Sequence, residues 1–233
     1  LKQQDRCGGL VAFEGRMRKK QALGFMKNCR VEVSPNCDSR PLDEAVSLVV
    51  VHAISLPPDR FGGPGVRQLF LNCLDPSEDP FYAQIQHLRV SAHFFIRRTG
   101  ELIQFVPPEA RAWHAGASTW KGRERCNDFS IGVELEGCDT LPFEPVQYQV
   151  LAELLVDLGE RFPIADVVGH SDVAPGRKTD PGPFFDWCFL RDVLAGIDAP
   201  ERIAGLLRGV AGGGDAASVD LMRWPFPVTA RPG

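Results

Sequence analysis

Val46 to Val51 is apolar except for Ser47, and the run stops at His52. That pattern predicts a strand covered on both faces. Arg89 to Ile96 reads as a second strand, turning at Arg97-Arg98-Thr99-Gly100 into the apolar Leu102–Val106, which makes a hairpin. Ile131, Val133 and Leu135 alternate with Gly132, Glu134 and Glu136, so a strand there sends both glutamates to one face, ordinarily a solvated one. Val146, Val150, Leu151, Leu154, Leu155, Leu158 and Phe162 recur at helical spacing, predicting an amphipathic helix over 144–162 that Pro163 ends. Val167-Val168-Gly169 opens as a short strand, and 170–183 continues as a loop turned by Pro175, Gly176, Pro181 and Gly182. Short helical pieces are expected at Leu69–Leu71 and from Phe185 to Leu194. Beyond Ala211 the chain is Gly- and Ala-rich and then broken by proline, the composition of a loosely attached tail.

Composition narrows the function classes. A chain of 233 residues, 44% apolar and 24% charged, has the makeup of one substantial domain with tails. A net charge of −4 leaves no excess of cations for a phosphate backbone, which argues against nucleic acid as the main partner. No apolar run approaches the roughly 20 residues of a membrane span. Residues 1–30 lack the continuous apolar stretch of a secretory signal, and the basic run at 16–20 reads as a solvated face. Seven cysteines without a CxxC pair fit reduced thiols of the cytosol better than a disulfide framework or a zinc–thiolate cluster.

The candidate chemistry lies at strand ends and loops. His52 closes the first strand; His170 and Asp180 share one loop, with Lys178 between them. Two imidazoles and a carboxylate suit zinc and leave a fourth position open, as in catalytic rather than structural sites. Such a site also needs a base and a cation to hold an oxyanion, and Glu134 and Lys178 are of those types. Taken singly, His52 reads as a core histidine satisfied by backbone; its pairing with the loop that carries His170 and Asp180 shifts that reading toward a ligand. His93, inside the hairpin strand, is either a third ligand or a packed residue. Trp113, beside His114 in a loop, is either a platform for a sugar ring or a partly buried aromatic.

The blocks VVVHAISLPP, HLRVSAHF, RAWHAGAS, GRERCNDFSIGVELEG and GHSDVAPGRKTDPGP, in this order, resemble the zinc-dependent N-acetylmuramoyl-L-alanine amidases of the amidase-2 class. Within that class the likeness is greatest to cytoplasmic members acting on 1,6-anhydro-muropeptides in peptidoglycan recycling. It covers about residues 28–192 and leaves 1–27 and 193–233 as extensions. It implies an α/β fold with a central mixed sheet flanked by helices, related to phage amidases and peptidoglycan recognition proteins. It implies His52, His170 and Asp180 as zinc ligands, Glu134 as catalytic base and Lys178 as stabiliser of the tetrahedral intermediate. It also implies substrate contacts from Arg89, Trp113 and Arg125 to a muropeptide. Ala53 departs from the pattern, standing where the nearest relatives are expected to carry Asn. A periplasmic amidase on intact peptidoglycan and a non-catalytic peptidoglycan-binding module are the rival readings; the full ligand set counts against the second.

Overall fold

The computed structural model describes residues 29–197, 199, 203, 205 and 206. In chain order these form strands β1 (Arg30–Val31), β2 (Cys37–Ser39) and β3 (Leu48–Ile54), then helices α1 (Gly65–Phe70) and α2 (Pro80–Ile85). Strands β4 (Phe94–Ile96), β5 (Leu102–Gln104), β6 (Ala110–Ala112), β7 (Thr119–Trp120), β8 (Arg123–Glu124) and β9 (Ser130–Glu136) follow. Helix α3 (Pro145–Arg161), strand β10 (Asp166–Gly169), the single turn α4 (His170–Val173) and helix α5 (Trp187–Gly196) complete the order.

Six strands make one sheet in the order β1-β5-β4-β9-β3-β10. The β4–β5 hairpin is antiparallel, whereas β4–β9, β9–β3 and β3–β10 are parallel, so the sheet is mixed as expected. Parallel neighbours need crossovers, and these put helices on the faces. Val49, Val51, Ile131, Val133 and Leu135 pack on one face against Leu151, Leu155 and Leu158 of α3 and Leu190 and Leu194 of α5. Ile203 is buried in this same layer. On the other face, Leu48, Val50 and Val168 pack under Ala115, Cys126 and Phe129, while α1 and α2 cover the β4–β5 side. With both faces covered, Leu48 to Val51 are at most 1% exposed, which explains the unbroken apolar run.

Helix α3 matches its predicted span within a residue at each end. Gln147 docks it: its Oε1 accepts from the Glu144 backbone N–H at 3.0 Å, and its Nε2 donates to the carbonyls of Ile96 and Glu136. Val146, expected on the apolar face, is 39% exposed instead, because it lies in the first turn above Gly100. The hairpin strand begins at Phe94 rather than Arg89: Ser91 N–H bonds Trp113 O and His93 N–H bonds Gly132 O, which pull the preceding chain off the ladder. The stretch after Gly169, expected as loop, starts with the helical turn α4. The two glutamates of β9, expected on a solvated face, are buried, because loops cover that side of the sheet.

Cys37, Cys126, Cys138 and Cys188 are free thiols, as expected, and Cys29 Sγ donates to Oε1 of Gln104 at 3.5 Å, but Cys73 is disulfide-bonded, which corrects the reduced-thiol expectation at that position. Among the described residues no helix is long and apolar enough to cross a membrane. The extension at 1–27 with its basic run, and the Gly- and Ala-rich tail from 211, lie outside the described residues.

Candidate metal centre

β3 and β9 pair in register, so His52 sits directly beside Glu134 on the same face of the sheet. β10 flanks β3 on its other side, with Gly169 opposite Val51, and His170 follows as the first residue of α4. The loop then returns Asp180 to its own start: Ser171 N–H donates to Asp180 O at 2.9 Å. Glycine at 169 permits this closure, since a Cβ there would lie 2.8 Å from Cδ of Pro181. Three side chains distant in sequence thus meet at the end of two adjacent parallel strands, which is where α/β sheets place their sites.

The convergence is close. His52 Nδ1 and His170 Nδ1 are 3.0 Å apart, and Asp180 Oδ2 is 3.1 Å from the first and 3.0 Å from the second. The second nitrogen of His170, Nε2, lies 3.2 Å from the carbonyl of Ala115. A carbonyl only accepts, so Nε2 carries the proton and Nδ1 is left as a lone pair. A lone pair 3.0 Å from a carboxylate oxygen is repulsive unless a cation lies between them. Ligand atoms on a tetrahedral zinc with bonds of about 2.0–2.1 Å are separated by roughly 3.3 Å, close to the spacing here. The donor set therefore fits a small divalent cation of the zinc type, and these three residues form the one such group among the described residues.

Burial shapes the electrostatics. It pushes the His52 pKa down to about 4, against the pull of Asp180, so the imidazole is neutral and competent as a ligand. Glu134 goes the other way: burial, and then the charge of Asp180, lift it well above 4.5, with Lys178 opposing. Its Oε2 is buried and, among the described residues, has no hydrogen-bond partner. Lys178 is exposed and, among the described residues, makes no ion pair; its charge is felt by both His52 and Glu134.

The remaining candidates are placed differently. His93 is not a ligand: its Nδ1 accepts from Gly132 N–H at 3.0 Å and its Nε2 faces the carbonyl of Ala110 at 3.1 Å, so both nitrogens hold backbone. Among the described residues no hydrogen bond or ion pair joins Arg89, Trp113 or Arg125 to the three converging side chains. Arg89 is exposed, with Nη1 on the carbonyls of Gln86 and Leu88. Trp113 is partly buried, and its side chain bonds Asp38, which Arg111 holds with two hydrogen bonds of 2.6 Å. Arg125, in a left-handed conformation, pairs with Asp128 at 2.9 Å and lines a cavity of about 750 Å³. That cavity reaches Asp172 and Val173 of the turn that carries His170.

Two residues that the sequence did not single out support the site. His114 Nδ1 lies 2.9 Å from His52 Nε2. Arg40 spends its guanidinium on the carbonyls of Pro108, Asn127, Asp128 and Ser130, fixing the turn before β9. Asn127 in that turn accepts from the N–H groups of His114 and Ala115. A glycine within the apolar strand at 132 was the available signal of a close neighbour.

Residues 42–183 match the family model for N-acetylmuramoyl-L-alanine amidases. The 1,6-anhydro-N-acetylmuramyl-L-alanine amidase AmpD of Salmonella typhimurium (strain SL1344) is 56% identical over 174 residues, covering 74% of this chain and 93% of its own. The crystal structure of a selenomethionine AmpD derivative superposes with a TM-score of 0.72 at 55% identity, covering 74% of this chain and 97% of that one. The endolysin amidase LysCS of Clostridium intestinale superposes with a TM-score of 0.50 at 19% identity, covering 76% and 99%, a likeness of fold alone.

Proposed function

Since this chain belongs to the N-acetylmuramoyl-L-alanine amidase family, we propose that it hydrolyses the amide between the lactyl group of 1,6-anhydro-N-acetylmuramic acid and L-alanine in muropeptides. The observation that carries this reading is the meeting of His52 Nδ1, His170 Nδ1 and Asp180 Oδ2 within 3.1 Å, with Glu134 in register beside His52. The reaction belongs to peptidoglycan recycling, and a cytoplasmic location goes with that reading.

His52, His170 and Asp180 would hold zinc, which supplies Lewis-acid polarisation of a carbonyl oxygen and makes a water more acidic. Glu134 is the base. Its unpartnered Oε2 takes the proton of the attacking water, and its raised affinity for protons lets it keep that proton in the interim. The same oxygen then returns the proton to the leaving L-alanine amine. The ammonium of Lys178, free of ion pairs among the described residues, offsets the negative charge on the tetrahedral carbon's oxygen. The guanidinium groups of Arg89 and Arg125 suit the carboxylates of the peptide, and the indole of Trp113 offers a flat apolar face to the anhydro-sugar. For Arg125 the support is its place on the cavity beside α4.

The test is release of peptide from an anhydro-muropeptide, compared with its non-anhydro counterpart and with intact peptidoglycan, alongside metal content. His170→Ala is expected to lose both zinc and turnover; turnover retained without metal would refute the site. Preferential cleavage of intact peptidoglycan would replace the recycling reading with that of a cell-wall amidase.

A further inference from the structure

His52 can bind a cation through Nδ1 only if its proton sits on Nε2, and nothing in the imidazole itself enforces that choice. The surroundings do. Ser130 Oγ lies 2.6 Å from the carbonyl of Cys126, and a carbonyl only accepts, so the hydroxyl proton points there. Oγ is then an acceptor toward His114 Nε2, 3.2 Å away, so His114 carries its proton on Nε2. That leaves His114 Nδ1 as a lone pair, 2.9 Å from His52 Nε2, which must therefore be the N–H. Read from its far end, the series Cys126 O, Ser130, His114, His52 admits one arrangement of protons. Its last member is a lone pair on Nδ1, facing Asp180 Oδ2 and His170 Nδ1.

We propose that His114 is a positioning residue of the metal centre, and that Ser130, anchored on the Cys126 carbonyl, selects through it the metal-binding tautomer of His52. This rests on reading His52 as a metal ligand. The fold gives the relay a dedicated place. Ser130, Gly132 and Glu134 alternate onto one face of β9, and the ring of His114 lies over Gly132. A Cβ at 132 would stand 2.5 Å from Cγ and 2.6 Å from Nδ1 of His114, so only glycine leaves the ring its position. The rings of His52 and His114 meet edge-on, at 88° with centroids 5.0 Å apart, which aims Nε2 of one at Nδ1 of the other. Losing an outer partner of a metal-bound histidine commonly weakens metal affinity by about 10- to 100-fold.

The experiment uses the full chain and zinc alone, with affinity measured by competition against a chromogenic chelator. His114→Phe keeps a flat ring without nitrogens, and Ser130→Ala removes only the hydroxyl. Both are expected to bind zinc about 10- to 100-fold more weakly than the wild type. Long-range proton–nitrogen correlation spectra of the metal-free protein supply the readout that mere packing would not move. Wild-type His52 and His114 are expected to be protonated on Nε2, and Ser130→Ala to show a population of His114 protonated on Nδ1. Should His114→Phe not fold, Ser130→Ala decides alone. Wild-type affinity together with unchanged tautomers in Ser130→Ala overturns the proposal. A wild-type chain that binds no zinc would instead overturn the metal-centre reading, while its tautomers would still decide the relay.

Discussion

Glu134 and Glu136 stand two residues apart on one face of β9, yet among the described residues only Glu136 spends both oxygens on protein partners. Glu136 is fully engaged: Oε1 accepts from Gly62 N–H and Oε2 from Arg98 N–H, with Arg97 3.5 Å away. Glu134 has an unpartnered Oε2 and sits in register with His52. Alternation in the sequence puts both on one face but does not separate them; their partners come from loops far along the chain. Glu134→Gln is expected to keep the metal while turnover falls by about 10²- to 10⁴-fold, checked by zinc content and peptide release. The same variant bears on stability. A carboxyl whose folded pKa is raised stabilises the fold below its unfolded value near 4.5, and that contribution is lost as pH rises through the folded value. Metal-free Glu134→Gln should therefore melt above the metal-free wild type at neutral and alkaline pH, with the gap closing in acid. Gly132→Ala should act through a neighbour, driving the His114 ring aside and lowering both melting temperature and zinc affinity.

Elements were readable from sequence wherever burial imposes a period, and unreadable wherever long-range hydrogen bonds decide. The β3 run and the α3 stripe are of the first kind, since each face of the sheet must be covered by apolar side chains. His52, His170 and Asp180 could be picked out because they close or follow such elements and belong to few chemical types. The start of β4 is of the second kind, because Ser91 and His93 bond Trp113 and Gly132 across the molecule. So is His114, whose partners lie on β3 and β9 and leave no local pattern. Gln147 illustrates a polar residue that periodicity passes over: fully buried, it ties the first turn of α3 to the ends of β4 and β9. Gln147→Leu leaves two buried carbonyls and the Glu144 N–H without their partner, so a loss of about 2–4 kcal/mol in denaturant unfolding is expected. Because the carbonyl of Glu136 is among them, the end of β9 that pairs with His52 should loosen with it, visible as faster amide exchange there.

At the scale of the whole molecule, the fold encloses neutral imidazoles, and this sets how stability responds to acid. Burial pushes His52 down to about 4 and His93 to about 3, and holds partly buried His114 well below 6.5. Unfolding returns each to its ordinary value near 6.5, so below that pH the unfolded chain binds protons that the folded chain refuses. Stability from this source is complete above about 6.5 and is lost as pH falls through the interval down to the folded values. Each histidine contributes a slope of about 1.4 kcal/mol per pH unit there, and three acting together about 4 kcal/mol per unit. Metal-free protein is therefore expected to lose melting temperature steeply between pH 6.5 and about 4, and the part of that loss above about pH 5 falls where ordinary carboxylates have barely begun to protonate. His93 isolates the effect from the metal centre, since its nitrogens are spent on Gly132 and Ala110 rather than on a ligand. His93→Gln retains an acceptor and a donor while removing one titrating group, and should lower the slope of stability against pH by about 1.4 kcal/mol per unit, measured by denaturant titration at a series of pH values. An unchanged slope in that variant would mean that His93 titrates alike in both states, and the acid sensitivity would then have to come from His52 and His114 alone.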